Sequence, residues 1–489
     1  MSNMCSIFRT SVLANRVDYI IFGNVSLEKK LGLTSLTALV FSSMVGAGVF
    51  SLPQNMAQAG SPAALMIGWG ITGVGILFLA TSLLLLSRLR PDLDSGIFTY
   101  AREGFGELVG FCSAWGYWFC AIIANVSYLV IVFAALSFFT DSEHSIIFGD
   151  GNTWQSLIGE SILLWFVHWL VLRGVQTAAG VNLLATMAKL LPLGMFIILA
   201  VIAFKMDIFS FDFSGIEMGV PVWQQVKDTM LITLWVFIGV EGAVVVSARA
   251  RKRQDIGIAT VLAVISALGV YVLVTLLSLG LVTRPELAAM RNPSMATLMV
   301  GLMGSAGEIV IIAGLIISVC GAYLSWTIMA AEVPFIASLH GSFPKVFKKQ
   351  NSKKAPESSL WITNGAVQLS LIVIWLSGSN YNTLLSIASE MILVPYFLVG
   401  AFLVKVAFQR SSRALLFIAL SACTYGLWLL YASGLMHLLL SVVLYAPGLL
   451  VFLYARRQDQ ERVPLTLVEK SAIVILFLMV LPSTWQLMH

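Results

Sequence analysis

Two ionisable side chains stand near the middle of long apolar runs: Glu241 in LWVFIGVEGA (residues 234–243) and Lys189 in MAKLLP (residues 187–192). A charge at the centre of a membrane helix costs about 2.5–3.5 kcal/mol on insertion scales. Such a group is expected to work, either by taking up and releasing a proton or by meeting a polar ligand. The bland alternative for Lys189 is a structural cation held by backbone carbonyls, just before Pro192, which already disturbs its helix. Four further groups lie nearer the ends of apolar runs. Glu160 and Glu332 are expected to meet water, and Glu390 is intermediate. His168 completes the set.

Glycines flank the carboxylate. Gly239 and Gly242 bracket Glu241, and a second stretch, SSMVGAGVFSLP (residues 42–53), holds Gly46, Gly48 and Pro53. Each glycine lowers helix stability, so each pair marks a place where a helix can unwind. Unwinding frees backbone N–H and C=O groups, which hydrocarbon does not tolerate unless a cavity or ligand satisfies them. The N-terminal end of a half-helix then attracts a carboxylate, and freed carbonyls accept from an ammonium. An α-amino acid carries both groups. The competing reading is close helix packing, for which membrane helices also use glycine.

The elements that position these residues follow from composition. The chain has 489 residues, 58% hydrophobic and 11% charged, against about 25% charged in a soluble domain. Thirteen apolar stretches reach spanning length: 33–58, 62–87, 104–139, 155–172, 177–204, 229–248, 257–283, 307–337, 359–377, 381–407, 414–433, 435–455 and 468–488. We number them spans 1 to 13. The expected fold is an all-α polytopic membrane protein of 12–13 transmembrane helices. Spans 1 and 6, the two with interruptions, are five apart and so cross in opposite directions. This is the pattern of two inverted five-helix repeats whose first helices are broken.

Basic residues set the orientation. With the N-terminus inside, 23 Lys and Arg fall on inside segments and 4 outside. The net charge of +5 is then topology, with juxtamembrane clusters free to meet anionic lipid, and no nucleic-acid partner is expected. The expected domains are a cytoplasmic tail (1–28), a ten-helix transport core (29–407) and peripheral C-terminal helices (408–489). The tail lacks the apolar core of a signal peptide. The loop 338–358, HGSFPKVFKKQNSKKAPESS from residue 340, reads as a solvated connector.

Five cysteines make neither a disulfide framework nor a metal cluster. The chain holds no GxxxxGK[ST], HExxH or GxSxG sequence, so ATP-driven pumping and hydrolytic catalysis are not expected. No cofactor or metal is expected. Trp235 and Trp326 lie inside spans 6 and 8, where an indole face can stack on a cationic ligand or simply pack.

The motifs SSMVGAGVFSLPQNMA, GYWFCAIIANVSY, TLWVFIGVEGAVV and LSWTIMAAEVPF, with EKKLGLTSLTAL opening at Glu28, resemble those of the basic amino acid/polyamine antiporters. These belong to the amino acid–polyamine–organocation superfamily, and the arginine/ornithine branch is the nearest. The resemblance runs from about residue 28 to the end. It implies an inner-membrane exchanger of arginine for ornithine, working by alternating access. It further implies that Val45, Gly46, Ala47 and Gly48 bind the substrate carboxylate, and that carbonyls around Trp235, Ile238 and Gly239 hold the α-ammonium. Ala121 and Asn125 would face the side-chain head group. Trp235 would cover the substrate as a middle gate, and Trp326 would flank the guanidinium. Tyr117 with Glu241 would form a gate through a hydrogen bond. Ser386 and Ser389 are weaker candidates.

Two positions depart from related arginine/agmatine exchangers, which tend to carry serine at Ala47 and cysteine at Ala121. The resemblance also places Lys189 where sodium sits in sodium-coupled relatives, which implies sodium independence. Lys189 and Glu241 are the candidates for proton coupling. Alternatives are a proton-coupled symporter, or exchange of arginine/agmatine, lysine/cadaverine or a polyamine. The oligomeric state stays open, a homodimer included.

Overall fold

Backbone groups in hydrocarbon must be satisfied within their own segment, which leaves the helix as the spanning element for apolar runs of this length. The computed structural model describes residues 32–93, 96–142, 144–173, 178–245, 251–353, 355–379, 381–458 and 464–488. Among them every named element is helical. The expected tail, 1–28, lies outside the described residues, as does Arg249.

Nine helices among the described residues are long and apolar enough to cross a membrane, and a bent pair, Leu36–Met44 with Gly48–Ala59, makes a further crossing with a 42° bend. Those nine include Arg413–Gln458, where Gly434 leaves helical geometry at φ 82° and separates spans 11 and 12. Span 5 is Ala178–Ala203. Span 6 is the helix Val222–Trp235, a run of turns, and the short helix Gly242–Val245. Each of the thirteen expected stretches therefore contains helix among the described residues, with span 6 broken by turns over 236–241. Span 3 is shorter at its start than expected. Gly106, at φ 96°, ends an interfacial helix Ile97–Phe105 and begins Glu107–Thr140.

Burial separates the centre from the rim. In the most apolar part of span 3, 83% of residues are buried, and 67% and 61% in spans 10 and 8, against 11% in span 13. Spans 8 and 10 both pack on span 3, while the first half of span 1 packs on spans 5 and 7. Spans 3, 8 and 10 therefore form the buried centre, and spans 5 and 7 flank the first half of span 1.

The loop after span 8 corrects one expectation. Lys345, Lys348 and Lys349 are exposed, as a solvated connector requires. Phe343 and Phe347, however, are buried. They pack edge-on against Trp118, and Phe343 also meets Phe111 and Trp115. Two phenylalanines in a lysine-rich segment are too few to shift its average polarity, yet each can bury on the order of 150–250 Å². The connector is thus pinned to the end of span 3.

Candidate substrate-binding site

The first half of span 1 ends at Met44, Val45 caps it, and the second half starts at Gly48. In span 6 the stretch 234–244 is a chain of short turns, in which the amides of Phe237, Ile238, Val240, Gly242 and Val244 each bond three residues back. The two interruptions touch. Ser43 Oγ donates to the Gly239 carbonyl at 3.0 Å. Gly239 has φ +109°, and a Cβ there would lie 2.9 Å from the Ser43 carbonyl oxygen, so both conformation and space exclude a side chain. At Gly48 a Cβ would stand 3.0 Å from Trp235 Nε1, and at Gly46 2.9 Å from the Tyr128 hydroxyl. The glycines serve both readings at once: they allow the break, and they let aromatic groups approach the backbone.

A small cavity lies at this junction. Gly46, Ala47, Gly48, Trp235, Ile238 and Trp326, all expected at the site, line it, together with Met44, Ala124, Tyr128 and Val236. Its free volume is about 10 Å³, room for roughly one water molecule. The basic amino acid that the resemblance implies is far larger than this, and the two indoles are the largest side chains lining the space. Trp235 is held by its Nε1, which donates to the Tyr381 hydroxyl at 3.0 Å. Trp326 Nε1 is buried without a hydrogen-bond partner, and its ring stacks on Tyr117 at 6.4 Å between centroids.

Backbone donors narrow the expected carboxylate contact. The Val45 amide already donates to Phe41 and the Gly46 amide to Met44, both at 2.8 Å. Ala47 and Gly48 stand at the N-terminal end of a half-helix, where amides lack intrahelical partners. Asn125 is fully buried one turn beyond Ala121, and neither atom of its amide has a partner. An unsatisfied buried amide costs about 1–3 kcal/mol, which a ligand head group can offset. Ser389 Oγ is likewise buried and unpartnered, whereas Ser386 Oγ donates to the Asn382 carbonyl.

Glu241 is fully buried. Its Oε2 accepts from the Tyr396 hydroxyl at 2.7 Å and from the Gly239 amide at 3.2 Å. Tyr117 lies beside the same carboxylate, but its hydroxyl and Glu241 Oε1 make no aligned hydrogen bond. Lys189 Nζ donates to the Val45 carbonyl at 2.6 Å and to the Ser42 carbonyl and hydroxyl at 3.0 Å each. All three ammonium hydrogens are used, two on carbonyls where the first half of span 1 ends and one on the Ser42 hydroxyl.

The remaining charges lie elsewhere. Glu160 is buried rather than wetted, with Oε1 unpartnered. His168 meets Asn364 at 3.0 Å. Glu390 binds His437 and Ser441 of span 12. Among the described residues no His, Cys, Asp and Glu cluster could hold a metal. Sequence reasoning missed Tyr128, Tyr381 and Tyr396. Tyr128 carried a usable signal, since it continues the face of Ala121 and Asn125 at helical spacing. The two tyrosines of span 10 carried none.

The sequence matches the amino acid permease family over residues 31–480. It is 70% identical to an Escherichia coli (strain K12) protein named "Putative arginine/ornithine antiporter", over 94% of this chain and 100% of that one. It is 43% identical to a Pseudomonas aeruginosa "Arginine/ornithine antiporter" (92% and 96% covered). It is 40% identical to a Chlamydia caviae "Arginine/agmatine antiporter" (93% and 96% covered).

Proposed function

The chain belongs to the amino acid permease family, and from that premise we propose that it exchanges arginine for ornithine across the cytoplasmic membrane by alternating access. The observation that carries this reading is the junction of the two interruptions. It offers half-helix amides at Ala47 and Gly48 to a carboxylate and turn carbonyls of residues 235–239 to an α-ammonium. The unpartnered Asn125 amide offers itself to a head group. Trp235 and Trp326 flank the space between. The relatives named for arginine and ornithine supply the substrate pair.

In this reading Trp235 is the middle gate, released when its bond to Tyr381 breaks. Glu241, Tyr396 and Tyr117 close the site on the side of the basic connectors. Lys189 holds the end of the first half of span 1 and makes sodium unnecessary. The transport core is residues 29–407, with 408–489 around it. The N-terminus faces the cytoplasm, as the 23 to 4 distribution of Lys and Arg favours.

Counterflow tests the proposal. Proteoliposomes loaded with ornithine take up external arginine, and unloaded ones do not. Uptake into unloaded vesicles driven by a pH gradient alone overturns it. A panel of lysine, agmatine, putrescine and histidine fixes the selectivity.

A further inference from the structure

On the face away from the basic connectors, the second half of span 1 ends in carboxamides. The segment after span 7 lies over them. Gln54 Nε2 and Gln58 Nε2 both donate to the Ala288 carbonyl, at 3.2 and 3.1 Å. Asn292 Nδ2 lies 3.0 Å from Gln54 Oε1, 3.1 Å from Asn55 Oδ1 and 3.1 Å from Asn382 Oδ1. Asn382 Nδ2 reaches back to Gln58 Oε1 at 3.4 Å.

This node is over-supplied with acceptors. Three oxygens from spans 1 and 10 converge on one nitrogen that carries two hydrogens. Its surroundings are under-satisfied as well. Asn55 Nδ2 and Asn292 Oδ1 are buried without partners, and so is Ser51 Oγ, one turn nearer Gly48 on the face of Asn55. A primary ammonium carries three donors, and hydrogen bonds to it are about twice as strong as neutral ones. Neutral oxygens hold such a group without the grip of a buried carboxylate, which suits passage. Asn382 also follows Tyr381, whose hydroxyl anchors Trp235.

We propose that Gln54 Oε1, Asn55 Oδ1 and Asn382 Oδ1 form a transit site for the ammonium group of a cationic amino acid, between the outer face and the central cavity. Asn292 Nδ2 fills this site when the face is closed. An arriving ammonium displaces it, and the segment around Asn292 lets go of spans 1 and 10. The inference rests on the reading of the chain as a basic amino acid exchanger.

Sided kinetics in orientation-sorted proteoliposomes provide the test. Asn382→Leu removes one acceptor and raises the arginine KM at the outer face about tenfold, leaving the inner-face KM within twofold. Asn382→Asp adds charge and lowers the outer-face KM, a direction that misfolding does not mimic. Equal shifts at both faces, no shift, or the same direction in both variants overturns the site. A second readout does not use transport. In a background lacking the five native cysteines, ornithine speeds labelling of Ser51→Cys by an impermeant thiol reagent, and Asn382→Leu abolishes that gain. Labelling that responds to ornithine without exchange refutes the exchanger and keeps the site. Exchange with unresponsive labelling refutes the site.

Discussion

Tyr396 and Glu241 are 155 residues apart in sequence and 2.7 Å apart at their oxygens, deep in the protein. The bond joins span 10 to the interruption of span 6. A buried carboxylate that loses one donor keeps its desolvation cost, of about 1–3 kcal/mol or more for a charged group. Tyr396→Phe is therefore expected to lower the melting temperature in detergent and slow exchange. Glu241→Gln with Tyr396→Phe should be less harmful than the sum of the two. Full additivity in that double-mutant cycle refutes a direct coupling.

Gly239 and Gly242 should respond differently to alanine. At Gly239 the backbone is left-handed and the added carbon meets a carbonyl oxygen at 2.9 Å, while at Gly242 it meets the Ser43 hydroxyl at 3.2 Å. Gly239→Ala is expected to cost about 1–3 kcal/mol and abolish counterflow, and Gly242→Ala to leave a measurable rate. Equal tolerance of both changes contradicts the interlocked breaks.

The two indoles should separate in kinetics. Trp235→Phe loses the bond to Tyr381 but keeps an aromatic cover, so the exchange rate falls more than affinity. In the proposed reading Trp326→Leu removes a face for the cationic head group and raises the arginine KM by roughly 2- to 30-fold, the equivalent of about 0.5–2 kcal/mol. Unchanged kinetics in both variants remove these residues from the site.

Lys189→Met should abolish exchange, because three acceptors lose their donor at once. Wild-type exchange should be the same in sodium and choline media. A sodium requirement in the wild type contradicts the assigned role of the lysine.

After span 3, acid should loosen the loop 141–153. Partial burial raises the Asp141 carboxyl, but amides of Ile147, Phe148 and Gly149 donate to it at 2.8–3.0 Å and hold it below its ordinary 3.8. Its folded value is lowered, so its contribution is full above the unfolded value and fades as pH falls below about 4. Hydrogen exchange of those three amides should accelerate at pH 3 relative to the intrinsic rate. Asp141→Asn should show weak protection at both pH 3 and pH 7.

How much of this was legible follows from what each residue signals. Glycines and a charge inside apolar runs mark a break, because neither is neutral there, and Gly46, Gly48, Gly239 and Glu241 were readable for that reason. Their partners were not. Tyr381 and Tyr396 look like any aromatic in an apolar helix, and their roles come from contacts across about 150 residues that no local period encodes. Asn292 reads as an ordinary loop asparagine until spans 1 and 10 are brought beneath it. Phe343 and Phe347 were hidden by the lysines around them.

The lysine contact has a mechanical consequence. Lys189 belongs to span 5, and its three bonds grip Ser42 and Val45, the last residues before the break in span 1. These bonds tie the first half of span 1 to span 5. The second half begins three residues beyond Val45 and has its own ties, to Ala288 and Asn292. Gly46 and Ala47 are the residues between these two sets of ties, so in the proposed cycle the residues assigned to the substrate carboxylate are also the axle.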